Sequence, residues 1–474
     1  MQSERVDFPS AAQKALADQR LRSNLRRAMD GLMEKRAAQF VDVDRWNALR
    51  ARGENARQRA LSKLPELLVQ LEEKLIANGI QVHWAQTTDE ANSIIVELLK
   101  GAKAKSVVKG KSMVSEEMHL NGALERDGIE VVESDLGEYV IQLAGEGPSH
   151  IIMPCIHKER DEIGKLFQEK IPGAPYSEEP EELTAMARTV LREKFAQADA
   201  GISGVNMAVA ETGTLVLVEN EGNGRMSTTV PDMHIAVTGI DKVVEKLEDV
   251  PPLLSLLTRS ATGQPITTYV NMISSPRKEG ELDGPREVHL VLLDNGRSGI
   301  YEDPERRATL QCIRCGACMN HCPVYGRIGG HAYQGVYPGP IGKILTPQLQ
   351  GLDEYPDHAG ASTLCQRCAE VCPVAIPIGK MLVNLRAQKA KCGEVPIQGC
   401  GGGSTSESVG WNLWFWLHAS PWRYRVMARL AASFRWAIPS WLPGLRVWSR
   451  VRVPPKPAQK PLHQRLHEIG VDHE

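Results

Sequence analysis

Eight of the ten cysteines in this 474-residue sequence lie between positions 312 and 392, and their spacing is the first chemistry the chain offers. Cys312-Ile-Arg-Cys315-Gly-Ala-Cys318-Met-Asn-His-Cys322-Pro323 follows C-x2-C-x2-C-x3-C-P, the ligand spacing of bacterial ferredoxins. Three thiolates on such a tight loop cap three irons of one cubane. The fourth, ahead of the proline, ligates the other cluster in two-cluster proteins, so one motif predicts a second. It arrives as Cys365-Gln-Arg-Cys368-Ala-Glu-Val-Cys372-Pro373, and alignment on the terminal Cys-Pro puts Ser362 at its first ligand position. Crosswise ligation assigns Cys312, Cys315, Cys318 and Cys372 to cluster one and Cys322, Cys365 and Cys368 to cluster two. Cluster two is then one cysteine short. Ser362, Cys392 or Cys400 could complete it; otherwise it is a three-iron cluster, or a four-iron cluster whose last iron takes water, substrate or a partner. Zinc needs four ligands per site and fits seven cysteines with two Cys-Pro ends poorly.

Around these ligands, His321, Arg314 and Arg367 read equally as groups that raise a cluster potential and as a solvated face. Gly329, Gly330, Gly335, Gly339 and Gly342 predict close backbone approach between the motifs. Cys155 is apolar-flanked and reads as a core residue. Cys392 and Cys400 lie in or near a glycine-rich stretch and are expected to be dispensable for cluster content. Gly110-Lys111-Ser112 is no phosphate loop, because Lys105 stands where a Walker A needs glycine, and no G-x-G-x-x-G follows a strand. The polar, Gly-rich segments Glu211-Thr212-Gly213 and Asn220 to Arg225 read as either a ligand crevice or a tight hairpin. Lys111, Glu116, Glu138 and Glu211 are candidates to line that crevice.

The elements that must position these groups alternate. Residues 1–63 carry apolar positions at helical spacing and form an N-terminal helical segment. Helices over 64–78, 88–100 and 180–196 alternate with strands near 80–85, 106–109, 128–132, 150–154, 207–219, 234–238 and 288–293, which predicts an α/β domain over 64–298 with a mostly parallel sheet. The cysteine region spans 299–392, a Gly-rich linker 393–410, and a C-terminal region 411–474. Seven of the nine tryptophans fall in 411–450 with six arginines and no acid: Trp411, Trp414, Trp416, Trp422, Trp436, Trp441 and Trp448. That composition suits packing on the protein's own domains, partner docking or an anionic membrane surface, while Pro421, Pro439 and Pro443 interrupt any one long helix.

Composition sets limits. A formal charge of -2 disfavours nucleic acid as a partner. No apolar run of spanning length and no signal-peptide core is present, and the clustered cysteines suit a reducing compartment, so the expected location is the cytoplasm, with peripheral contact at the inner membrane admissible.

Several motifs outside the cysteines carry a resemblance: Val108-Lys109-Gly110-Lys111-Ser112-Met113-Val114-Ser115-Glu116-Glu117, Ser134-Asp135-Leu136-Gly137-Glu138-Tyr139, Ala210-Glu211-Thr212-Gly213-Thr214, and Asn220-Glu221-Gly222-Asn223-Gly224-Arg225. With the cysteine block, the chain resembles the lactate utilisation protein B family, the iron–sulfur subunit of bacterial L-lactate oxidation, over roughly residues 10–450. The resemblance implies a lactate-utilisation domain similar in fold to the ribose-phosphate isomerase and CoA-transferase group, followed by a helical ferredoxin-like module. It implies that the same seven cysteines hold two clusters, with 4Fe–4S expected, and that serine at 362 is usual. It further implies electron transfer from L-lactate towards an unidentified acceptor, together with other lactate-oxidation subunits. The chain offers one-electron centres and no flavin or nicotinamide motif, so it alone is not expected to be the dehydrogenase. The rival reading is a catalytic subunit that binds a small hydroxy acid at the incompletely ligated cluster.

Overall fold

A computed structural model describes residues 6–391, 405–434 and 458–470. The chain up to Lys391 forms one compact unit, and the described C-terminal helices belong to a second.

The first unit is built on six parallel strands. They are β1 (Gln81–Ala85), β2 (Ser106–Lys109), β3 (Glu130–Glu133), β4 (Ala200–Gly204), β7 (Met233–Gly239) and β10 (Glu287–Leu293), in the order β1-β10-β7-β4-β2-β3. A smaller sheet, ordered β8-β5-β6-β9, contains β5 (Met207–Val209), β6 (Thr214–Glu219), β8 (Val243–Val244) and β9 (Tyr269–Ile273). β5 and β6 are an antiparallel hairpin. The expected hairpin therefore forms, but in its own sheet.

Strands buried on both faces read as apolar runs, and Val288 to Leu293 are buried throughout. The helices between them start on side-chain caps: Thr87, Ser112 and Asp135 accept from the backbone N–H three residues on and open Thr88–Gly101, Met113–Glu117 and Leu136–Ala144.

One expected strand does not form. Residues 150–154 are turns and bends, although His-Ile-Ile-Met-Pro is apolar enough for a strand. Its apolar residues serve a different wall: Ile151 joins the core that contains Cys312, Cys318 and Cys372. The His150 ring meets Asn320 at 2.9 Å, and Ser149 O accepts from the Tyr325 hydroxyl at 2.7 Å. Gly330 lies so close to this loop that a Cβ would stand 1.9 Å from Ser149 O, and one on Gly342 would stand 1.5 Å from Tyr337 O.

The N-terminal helices Gln19–Gln39 and Val43–Ser62 turn arginines toward the cysteine region. Arg50 donates to Cys372 O at 2.7 Å and Ala369 O at 2.9 Å. Arg57, fully buried, donates to the carbonyls of Val243 and Leu310 at 2.7 and 2.9 Å, and also to that of Asp241. A buried ionic network ties sheet and cysteine region together. Arg297 pairs with Glu117 at 2.7 Å and Asp241 at 2.9 Å, and the Tyr337 hydroxyl donates to Glu117 at 2.7 Å.

In the second unit, Thr405–His418 and Pro421–Ser433 are helices joined at His418 and Tyr424, whose rings lie 5.4 Å apart. The expected linker over 393–410 falls outside the described residues as far as 404. Its last six residues are helical, a correction: the glycine run ends at Gly403, and these residues are the opening turns of the helix Thr405–His418, which continues through the mostly apolar run Trp411 to Leu417. Trp411, Trp414, Trp416 and Trp422 are exposed. Cys392, Cys400, Trp436, Trp441, Trp448, Pro439 and Pro443 lie outside the described residues.

Candidate metal centre

The structure gathers the seven cysteines around two voids. Cys312, Cys315 and Cys318 share one with Cys372, walled by Ile151, Ile341 and Ile376. Cys322, Cys365 and Cys368 share the other, together with Ser362 and Lys343. Each void thus draws from both motifs. The voids are neighbours, because the Cys318 thiol feels Cys368 as well as its own group, and Lys343 feels Cys318, Cys322 and Cys368.

Local backbone makes this possible. Arg314 and Gly316 have φ of 59° and 81°, the left-handed values that fold three ligand positions onto a short loop before the helix Ala317–Asn320. Backbone N–H groups point at sulfur: Arg314 N to Cys312 Sγ at 3.4 Å, Tyr325 N to Cys322 Sγ at 3.5 Å, and Ile376 N to Cys372 Sγ at 3.4 Å. Lys343 Nζ lies 3.5 Å from Cys322 Sγ.

The donor set suits an iron–sulfur group. Burial pushes the Cys315 and Cys318 thiols far above their usual range, and the Cys368 and Cys372 thiols to about 11. Four thiols held together in a buried void call for a bound cation that takes them as thiolates, and the N–H donors around them match what cluster sulfurs accept. The two sites differ in depth. Cys312, Cys315, Cys318 and Cys372 are buried, whereas Cys322 and Cys368 are half-buried and Cys365 is exposed.

The charged neighbours separate. Arg314 is buried over the Tyr337 ring, 4.8 Å from its centroid, and its guanidinium nitrogens have no hydrogen-bond partner among the described residues. Arg367 is exposed and pairs with Glu370 at 2.9 Å, which is the solvated face. His321 lies 2.9 Å from Ala317 O, and burial lowers its pKa to about 4. Cys155 is half-buried, packed with the core of Val108, Tyr139 and Phe167.

A cleft of about 300 Å³ opens beside the first void. It lies at the carboxyl ends of β2, β3 and β4, where the chain passes from β2 outward to β3 and then back across β2 to β4, the switch point at which open α/β sheets form crevices. Lys111, Asp135, Asn220, Glu221 and Asn223 line it, and Arg314 and Cys315 close it on the cysteine side. Lys111 Nζ donates to Ile152 O at 2.8 Å and lies 3.7 Å from Glu138. Burial raises the Glu138 carboxyl to about 8 and the Glu221 carboxyl to about 7.

Of the expected crevice residues, Lys111 is placed here and Glu138 pairs with it. Glu116 turns to Lys109 at 3.2 Å. Glu211 accepts from Leu247 N at 2.9 Å, away from the cleft, and Gly213 makes the hairpin turn at φ 64°. The two Gly-rich segments thus divide: the first is a hairpin, the second a cleft wall. Sequence reasoning missed Lys343, Arg50 and Arg57, which sit far from the motifs in sequence and carry no spacing signal.

Three family comparisons cover most of the chain. Residues 68–293 match the LUD domain, residues 308–376 the 4Fe-4S dicluster domain, and residues 384–471 the C-terminal region described as Lactate utilisation protein B, C-terminal. Among curated proteins, the chain is similar to Lactate utilization protein B of Anoxybacillus flavithermus, 45% identical over 80% of each chain. It is similar to that of Bacillus subtilis at 43%, over 82% of this chain and 81% of the other, and to that of a Geobacillus species at 40%, over 99% of both. Among solved structures, a DUF162 family protein from Deinococcus radiodurans is 17% identical with a TM-score of 0.28, covering 48% of this chain and 98% of its own. The dicluster match makes iron–sulfur the chemistry of the cysteine region.

Proposed function

Since the chain belongs to the lactate utilisation protein B family, we propose that it serves lactate utilisation as the iron–sulfur electron-transfer subunit of L-lactate oxidation to pyruvate. In this reading, residues 64–298 are the lactate-utilisation domain, with the architecture of the ribose-phosphate isomerase and CoA-transferase group, and residues 299–392 the two-cluster module. The family matches at 68–293 and 308–376 support those bounds.

The observation that carries the reading is the pair of adjacent voids, each walled by cysteines of both motifs. Cys312, Cys315, Cys318 and Cys372 would hold one 4Fe–4S cluster, and Cys322, Cys365 and Cys368 the other. When bound, the clusters supply one-electron centres. The chain's own residues do the rest. Cys312, Cys315, Cys318 and Cys372 bury the first site beside the cleft, and the exposed Cys365 brings the second to the surface. That polarity supports entry of electrons on the cleft side and exit at Cys365 to another subunit or acceptor.

One observation favours a second reading, a catalytic subunit. The cleft reaches Cys315 and holds Lys111 and Arg314 for a carboxylate, with Glu138 and Glu221 able to keep or release a proton near neutral pH. In this reading the hydroxy acid would bind in the cleft beside the first site, and not at the incompletely ligated second as the cysteine count alone suggests. L-lactate added anaerobically to the isolated, oxidised protein separates the two. No bleaching of the iron–sulfur absorbance supports the electron-transfer subunit, and reduction at catalytic rates supports the catalyst.

A further inference from the structure

The two cysteine motifs are related by a shift of 50 positions: Cys315 with Cys365, Cys318 with Cys368, Cys322 with Cys372, and Cys312 with Ser362. The structure keeps this relation atom by atom. Arg314 is left-handed at φ 59° and Leu364 at 54°; Gly316 is left-handed at 81° and Gln366 at 63°. Both loops run into one-turn helices, Ala317–Asn320 and Arg367–Glu370. Met319 N donates to Gly316 O at 2.9 Å, and Ala369 N donates to Gln366 O at 2.9 Å. In the first motif Arg314 N donates to Cys312 Sγ at 3.4 Å; in the second Leu364 N donates to Ser362 Oγ at 3.2 Å.

We propose that Ser362 Oγ is the fourth protein ligand of the second cluster. The inference rests on the two-cluster reading above and supplies the ligand that the cysteine count leaves open. Ser362 lines the same void as Cys322, Cys365 and Cys368. Its backbone carbonyl is held by Arg386 Nη2 at 2.8 Å, which fixes the loop to the helix Ile378–Lys391. A serine that only caps a turn needs the hydrogen bond alone. It does not need two left-handed non-glycine residues, at Leu364 and Gln366 on either side of Cys365, which cost energy and reproduce the ligand loop of the first motif. Lys343 shares the void, but its nitrogen is turned to Cys322 Sγ as a donor. Oxygen ligation forms one iron–oxygen bond as the hydroxyl proton leaves to solvent, with no change of oxidation state.

The test uses the full chain purified anaerobically with 57Fe, as wild type, Ser362→Ala and Ser362→Cys. We expect about eight irons in the wild type and a distinct Mössbauer subsite for one of them. That subsite should merge with its neighbours in Ser362→Cys. Brief oxidation should strip about one iron from Ser362→Ala alone, leaving the near-isotropic EPR signal of a three-iron cluster. Wild type and Ser362→Ala behaving alike, or a Ser362→Cys spectrum identical to wild type, overturns the assignment. If Ser362→Ala loses the cluster altogether, the Ser362→Cys comparison decides. About seven irons in the wild type removes Ser362 as a ligand and leaves the electron-transfer reading standing; zinc, or about four irons, sinks both.

Discussion

Single residues set the properties of the two sites. Lys343 is a buried cation 3.5 Å from Cys322 Sγ, so it favours the electron-rich, reduced form of the cluster that Cys322 holds. Lys343→Met should lower the potential of that cluster by roughly 40 mV, the equivalent of ~1 kcal/mol of lost differential stabilisation, and move the other in the same direction by less. A redox titration followed by EPR checks it; equal shifts in both clusters would place Lys343 elsewhere in the electrostatics. Glu138 gives a pH signature. Burial raises its carboxyl from the usual 4.5 to about 8, with Lys111 opposing the rise. The folded state therefore keeps a proton that the unfolded chain releases, and stability falls as pH rises across that window. Glu138→Gln removes this term. Its urea midpoint should decline less than that of wild type between about pH 5 and 8, by an amount of order 1 kcal/mol per pH unit. Parallel curves for both proteins would refute the assignment. The cysteines were legible in the sequence because ligand spacing is local. Lys343 and Arg57 were not, because their partners are 21 and 184 residues or more away and a lone basic residue has no pattern.

Elements were legible where one pattern had one meaning. The runs in β2, β7 and β10 are apolar and short, and they form the middle and flank of the parallel sheet. The segment 150–154 has the same composition but covers the cysteine region, so hydrophobicity alone could not tell a strand from a loop that closes a core. β4 was hidden for the opposite reason. Its sequence, Ala-Gly-Ile-Ser-Gly, looks like a turn, yet it pairs with β2 and β7. Gly201 is there because Ser227, on the helix Asn223–Thr229, crosses so closely that a Cβ would stand 1.7 Å from its carbonyl oxygen. Gly201→Ala should cost roughly 1–3 kcal/mol through overpacking, and it should disturb the cleft wall at Asn223. Denaturant midpoints measure the first effect; an unchanged midpoint would mean that the helix moves aside at no cost.

At the scale of the whole molecule, the first unit joins helices, sheet and cysteine region, and the second carries exposed tryptophans. Among the described residues no helix is long and apolar enough to cross a membrane. Exposed Trp and Arg are the composition of interface cores, so truncation before Trp411 should leave both clusters intact and weaken recovery of the other lactate-oxidation subunits in a pull-down. Equal recovery would refute docking, and a cluster-free truncation would return the segment to the fold of the first unit. If the two motifs exchange ligands to hold two clusters, paired cysteine substitutions will show it. Anaerobic EPR of the reduced Cys315→Ala, Cys372→Ala, Cys322→Ala and Cys368→Ala chains should sort them by void and not by motif. Cys372→Ala should lose the same signal as Cys315→Ala, and Cys322→Ala the same signal as Cys368→Ala. Cys322→Ala grouping with Cys315→Ala, and Cys372→Ala with Cys368→Ala, would contradict it.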